Sequence, residues 1–136
     1  MARAPNKSVM AFRKLTVDLQ RDIYADALAE LNAQAASLVG VMASAVKHGP
    51  TGELAKSLRI EPGKKSTVVV IKAGGPTTTR QGGGGKSYDY ARAVEFGTEH
   101  VAAQPFFFPS YRLMKKSMRS AMRRKITKRI KEYSAE

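Results

Sequence analysis

Two runs of apolar residues at helical spacing frame the chain. From Phe12 the positions Phe12, Leu15, Leu19, Ile23, Ala27, Leu31, Ala35, Leu38 and Met42 recur at steps of three and four, the period of one helix face. The other faces carry Arg13, Lys14, Asp18, Arg21, Asp22, Asp26 and Glu30, and the run is rich in alanine, the best helix former. Gly40 is a place for a bend. The stop is explicit: Lys47 and His48 in the last turn, Gly49 as a left-handed cap, then Pro50, which cannot continue a helix. Towards the other end Pro109 opens a second helix, where its missing N–H costs nothing. There Tyr111, Met114, Met118, Met122, Ile126, Ile130 and Tyr133 form the apolar stripe.

Shorter periods lie between them. Thr51 is placed to cap one helical turn, after which Leu58 to Glu61 alternates apolar with charged. Pro62 to Lys65 reads as a turn, and Ser66 to Ala73 holds the β-branched run Thr67-Val68-Val69-Val70-Ile71. This predicts a β-hairpin with one strand well buried, packed on the long helix or reaching another subunit, because a lone hairpin is marginal in water. Residues 74–87, dense in glycine, read as a flexible, exposed loop. Its end, GGGGKS, resembles a phosphate-cradling loop, but Arg80 stands where that pattern needs glycine and no strand leads directly in. From Asp89 to Phe96 the pairs Tyr90/Val94 and Ala91/Glu95, with Asp89 as cap and Gly97 as stop, predict a short helix, with a strand as the alternative. Gly97 to His100 should turn, and Val101 to Phe108 should be extended because Pro105 breaks a helix interior.

These elements add up to one α+β unit over residues 12–136, preceded by a flexible arm at residues 1–11. Its parts are a long N-terminal helix, a small antiparallel sheet of a hairpin plus a further strand, a short helix and a long basic C-terminal helix. The block from Tyr88 to Pro109 organises them, since Phe and Tyr supply the largest single burials open to a small core. Within it Tyr90, Glu95, Phe96, Gly97, Thr98, Pro105, Phe106 and Pro109 are the expected fold-defining or interface residues. A carboxylate such as Glu95, set among apolar neighbours, serves either as a general acid or base or as an acceptor for backbone N–H groups or an arginine; the second use is the expected one.

Charge changes the picture more than composition does. The 136 residues carry a formal net charge of +13 and no cysteine. The charge points to an acidic or polyanionic partner, and the lack of cysteine fits a reducing cytoplasm and excludes thiolate metal sites. Between Arg112 and Lys131 there is no acid, so Lys115, Arg119, Arg123, Arg124 and Lys128 are the expected contacts to an acidic partner or DNA. A face so uniformly positive opposes itself at i,i+4 spacing, which favours a compensating neighbour. Chemistry is scarce by contrast. His48 and His100 are the only histidines, and neither a G-x-S-x-G pattern nor a carboxylate pair stands out. No catalytic, cofactor-binding or metal residues are assigned, and no enzyme is expected. With no apolar run long enough to span a bilayer and no secretory signal at the N-terminus, the expectation is an unexported chain without a membrane partner.

Three ordered blocks carry a resemblance. Thr51-Gly52-x-Leu54-x-x-Ser57-Leu58, Tyr90-Ala91-x-x-Val94-Glu95-Phe96-Gly97-Thr98, and Ala103-Gln104-Pro105-Phe106 closed by Pro109 stand in this order between two long helices. Together they resemble the gene-product-ten-like family of phage Hong Kong 97, the neck or tail-completion proteins of long-tailed bacteriophages. The resemblance implies a non-enzymatic virion component that forms a homo-oligomeric ring at the head–tail junction. Its implied partners are the head-connector and the tail-tube or tail-terminator proteins, and it would be made and assembled in the host cytoplasm. From its charge, the basic helix is expected to meet either an acidic neighbouring ring or the passing phage DNA. The glycine-rich loop and the strongly basic final helix exceed the family pattern, so what that helix touches is not carried over. A basic nucleic-acid-binding protein is the alternative, for which charge is the whole argument.

Overall fold

A computed structural model describes residues 4–47 and 52–135. His48, Gly49, Pro50 and Thr51, expected as helix stop and next cap, lie outside the described residues. The order is α1 (Lys7–Ala45), α2 (Glu53–Lys56), β1 (Arg59–Pro62), β2 (Val69–Lys72), β3 (Thr79–Gln81), β4 (Ser87–Asp89), α3 (Tyr90–Phe96) and α4 (Phe108–Ser134). This is the α+β arrangement the pattern predicts, with two two-stranded antiparallel sheets, β1–β2 and β3–β4.

The two long helices run antiparallel. Helix α1, 39 residues and so about 58 Å long, lies along α4, 27 residues and about 40 Å. At one end Phe106, just ahead of α4, packs with Leu38 and Met42 of α1, with Val46 at its C-cap, and with Leu54, Leu58 and Ala91 in the core. At the other end the Arg129 guanidinium grips Asp26 with two bonds, Nε to Oδ2 at 2.6 Å and Nη2 to Oδ1 at 3.1 Å, and the Tyr133 hydroxyl donates to Asp22. Asp22 and Asp26, expected on a solvent-facing side, thus hold the far end of α4. Beyond Asp22 there is no α4 left to cover α1.

Four expectations change here. Helix α1 starts at Lys7, with the Asn6 side chain accepting from Ser8 N–H, so residues 7–11 are helix and not arm. The start of its stripe is open to solvent: Phe12 is 66% and Leu15 43% exposed, because the partner helix ends too soon. The first hairpin forms with Ile60 opposite Ile71 and Glu61 opposite Val70, but β2 is only half-buried and Val68 falls in the exposed turn, since a two-stranded sheet packed on α1 leaves its other face to solvent. Residues 101–107 join neither sheet; the further strands come instead from the glycine-rich segment.

That segment is a second hairpin rather than a loose loop. Arg80 lies opposite Tyr88, and Gly84 and Gly85 turn the tip at positive φ, which glycine alone adopts freely. The hairpin is anchored at its base. Thr78, fully buried, donates to Asp89 at 2.7 Å and accepts from Gly75 N–H at 2.9 Å, while Gly74 N–H donates to Ser57 Oγ at 2.9 Å. Lys86 and Ser87 therefore lead into a strand at an exposed tip, which leaves the phosphate-loop pattern without its helix.

The Asp22 and Asp26 contacts give the fold an acid-sensitive end. The Arg129 hydrogen bond holds the Asp26 carboxyl below its ordinary 3.8, and the Tyr133 hydroxyl does the same for Asp22. A carboxylate whose folded value is depressed contributes stability above the unfolded value, and that contribution is lost as pH falls through the folded one. We expect Asp26→Asn to lower the unfolding midpoint at pH 7 and to flatten the decline below about pH 4. Thermal unfolding at both pH values checks this, and parallel curves for the two proteins would contradict it.

Candidate functional site

The block from Tyr88 to Pro109 closes around one carboxylate. Helix α3 begins where Asp89 accepts the Ala91 N–H at 2.9 Å, and it ends at Gly97, whose φ of 77° and ψ of 173° suit glycine only. A Cβ there would sit 2.8 Å from Ala103 N. This sharp exit sends the chain round a turn built by Thr98, which accepts from His100 and Val101 N–H through its hydroxyl, and brings residues 104–108 back along α3. Gln104 N–H donates to Val94 O at 2.8 Å. The Glu95 carboxylate, 7% exposed, then accepts from Phe106 and Phe107 on Oε2 at 2.8 and 2.9 Å and from Phe108 on Oε1 at 3.0 Å.

Glu95 is thus the cap of α4. A helix start needs acceptors for its free N–H groups, and Phe107 at the capping position has no side-chain oxygen to offer. A negative charge at the positive end of the helix dipole adds to the bonds. Pro105 has no N–H, so each N–H from Gln104 to Phe108 is satisfied by α3. Pro109, at the second helical position, likewise removes a donor that would need a partner. Both oxygens of the carboxylate accept from backbone N–H groups, which is the structural use expected for it.

The aromatic residues divide in two. Phe106 is 1% exposed and Tyr90 packs half-buried against the core with the Arg80 guanidinium 5.1 Å over its ring. Phe96 and Phe108, whose ring centroids are 6.0 Å apart, are 64% and 42% exposed. The expectation that the whole block is buried fails for them, because α3 is too short to cover both sides of the α4 start. Val101 and Leu113, in the neighbouring turn and on α4, are exposed as well.

The five basic positions on α4 divide as well. Lys115, Arg119 and Arg123, spaced by four, border a groove between α1, β2 and α4. Arg124 and Lys128 point to a separate depression near the C-terminal end of α4, shared with Arg123 and Lys131. Arg129 belongs to neither, being bound to Asp26. Sequence reasoning did not find this pair, nor the Ser57–Gly74 and Thr78–Asp89 bonds. The spacing of Asp18, Asp22 and Asp26 on α1, set against a stretch with no acid between Arg112 and Lys131, was the available signal. Among the described residues no three of His, Cys, Asp and Glu converge, and no helix is long and apolar enough to cross a membrane.

Two substitutions separate capping from packing. Phe106→Ala should cost about 3–5 kcal/mol as a core truncation. Glu95→Gln, which keeps a carbonyl acceptor but turns an amide donor towards a backbone N–H, should cost about 1–3 kcal/mol with the fold retained. Denaturant unfolding measures both, and a near-neutral Phe106→Ala would place that ring outside the core.

Compared with models of protein families, with curated proteins and with solved structures, the chain shows no match.

Proposed function

We propose that the chain is a structural virion protein of a tailed bacteriophage, a subunit of the oligomeric ring at the head–tail junction that joins the head connector to the tail. The observation that carries this reading is a pair of unlike, uncovered apolar surfaces at opposite ends of the helix pair. One is the start of α1, where Val9, Met10, Phe12 and Leu15 are exposed beyond the reach of α4. The other is the end near the Glu95 cap, where Phe96, Val101, Phe108 and Leu113 are exposed. Unlike surfaces on one subunit support head-to-tail contacts, and such contacts close into a ring when the rotation allows. Large apolar side chains left exposed in groups at both ends are the kind of surface that interaction sites use.

The resembling blocks support the same reading from another side, because their residues build the frame between these surfaces. Ser57 accepts from Gly74 N–H and donates to Leu54 O, Glu95 caps α4, and Gly97 makes the exit that no other residue fits. None of these is a catalytic arrangement, and the reading assigns no reaction to the protein. The competing reading, a basic nucleic-acid-binding protein, draws on exposed Arg124 and Lys128 at the end of α4.

Deleting the coding sequence from the phage genome is expected to leave filled heads and free tails that do not join, visible by electron microscopy. Phe96→Ser with Leu113→Ser should give a folded chain that fails to restore joined particles, since both side chains are exposed. Normal infectious particles without the protein would contradict the assignment. Tight, salt-dependent DNA binding by a monomer would favour the competing one.

A further inference from the structure

The groove between α1, β2 and α4 has a composition that the junction reading does not use. It encloses about 590 Å³. Its floor is apolar, with Leu31 and Leu38 from α1, Ile71 from β2, and Met118, Met122 and Ile126 from α4. Lys115, Arg119 and Arg123 stand along one border, and among the described residues no Asp or Glu lines any part of it. From Tyr111 to Thr127 the α4 wall is about 24 Å long, or between four and five helical turns.

Each of these features selects among occupants. A phosphate backbone would meet the basic border but gains nothing from an apolar floor, because affinity for nucleic acid comes from neutralised phosphates and stacked bases. A second copy of this chain is disfavoured by sign: its uncovered apolar segment at the start of α1 carries Lys7, Arg13 and Lys14 and reaches no acid before Asp18. An amphipathic helix with acids along one side satisfies both halves of the groove at once. Its apolar face fits a long trough walled by two helices, where methionines adapt to the side chains they meet. Its acids fit the Lys115, Arg119 and Arg123 border, where opposite charge sets orientation and speeds encounter.

We infer that this groove is the docking site for an acidic amphipathic helix of another protein. The inference stands on the groove alone: it holds or fails independently of where the protein acts, and particle assembly without the protein does not bear on it.

The test uses the purified full chain and a fluorescent synthetic helix with leucines at i, i+3, i+4 and i+7 and glutamates on the flank. Anisotropy should show saturable binding to this peptide, weakened roughly tenfold or more when its glutamates are replaced by lysines. Arg119→Glu with Arg123→Glu should weaken it to a similar degree. Arg124→Glu with Lys128→Glu, an equal change of net charge away from the groove, should leave it within about twofold. All four side chains are exposed, so circular dichroism should show each variant folded. A third variant, Met122→Lys, places charge in the floor and should also abolish binding. Absence of binding, equal loss in both charge-reversed pairs, full competition by duplex DNA, or occupation of the groove by a second copy in solution would each overturn the proposal.

Discussion

The start of α4 is the constraint on which the rest of the molecule depends. A helix that begins inside a protein must have its first N–H groups bonded, and this one begins at a phenylalanine that cannot cap it. The acceptor comes from Glu95, one helix earlier, through three bonds to Phe106, Phe107 and Phe108. An unpaired buried carboxylate would be strongly unfavourable, as would unpaired N–H groups, so each side of the contact makes the other tolerable. The consequence is directional. Once α4 is fixed at α3, its far end meets α1 at Asp26 and Asp22, and the groove between them is set.

The same constraint decides which surfaces stay open. Helix α3 has only seven residues, enough to hold Glu95 and to bury Ala91, but not to cover Phe96 or Phe108. Helix α4 ends opposite Asp22, so the first turns of α1 stand alone. Apolar surface thus remains at both ends of the molecule while a basic-bordered trough runs along its middle. A small chain with this much uncovered surface gains by association, since burial of such area is the main favourable term in assembly. Positive charge along α4 then acts on the choice of neighbour more than on the fold, because among the described residues Arg129 is the one base of that stretch in a direct ion pair with an acid of α1.

Much of the fold was legible in the sequence where a local signal and the tertiary need coincide. Asp89 and Gly97 read as cap and stop because their chemistry is local, and Glu95 read as a buried acceptor because its neighbours are apolar. The steps of three and four in both stripes placed the helices for the same reason. What was not legible depends on partners distant in the chain. The glycine-rich segment looked unstructured because its order comes from Thr78, Asp89 and Ser57, contacts that leave no periodic trace. Burial of Phe12, Phe96 and Phe108 was overestimated because periodicity shows which face is apolar and not whether anything lies against it. The groove was invisible for a related reason: its border residues were read as one charged face, and the packing of α1 and β2 separates Lys115 and Arg119 from Arg124 and Lys128, with Arg123 standing between the two depressions.

Hydrogen exchange at single amides tests the central claim most directly. If the Glu95 cap holds α4 to α3, the amides of Phe106, Phe107 and Phe108 should exchange as slowly as the middle of α1 and α4, opening only with global unfolding. Fast exchange at these three amides, with both helices still protected, would show that α4 starts uncapped and that its placement rests on other contacts.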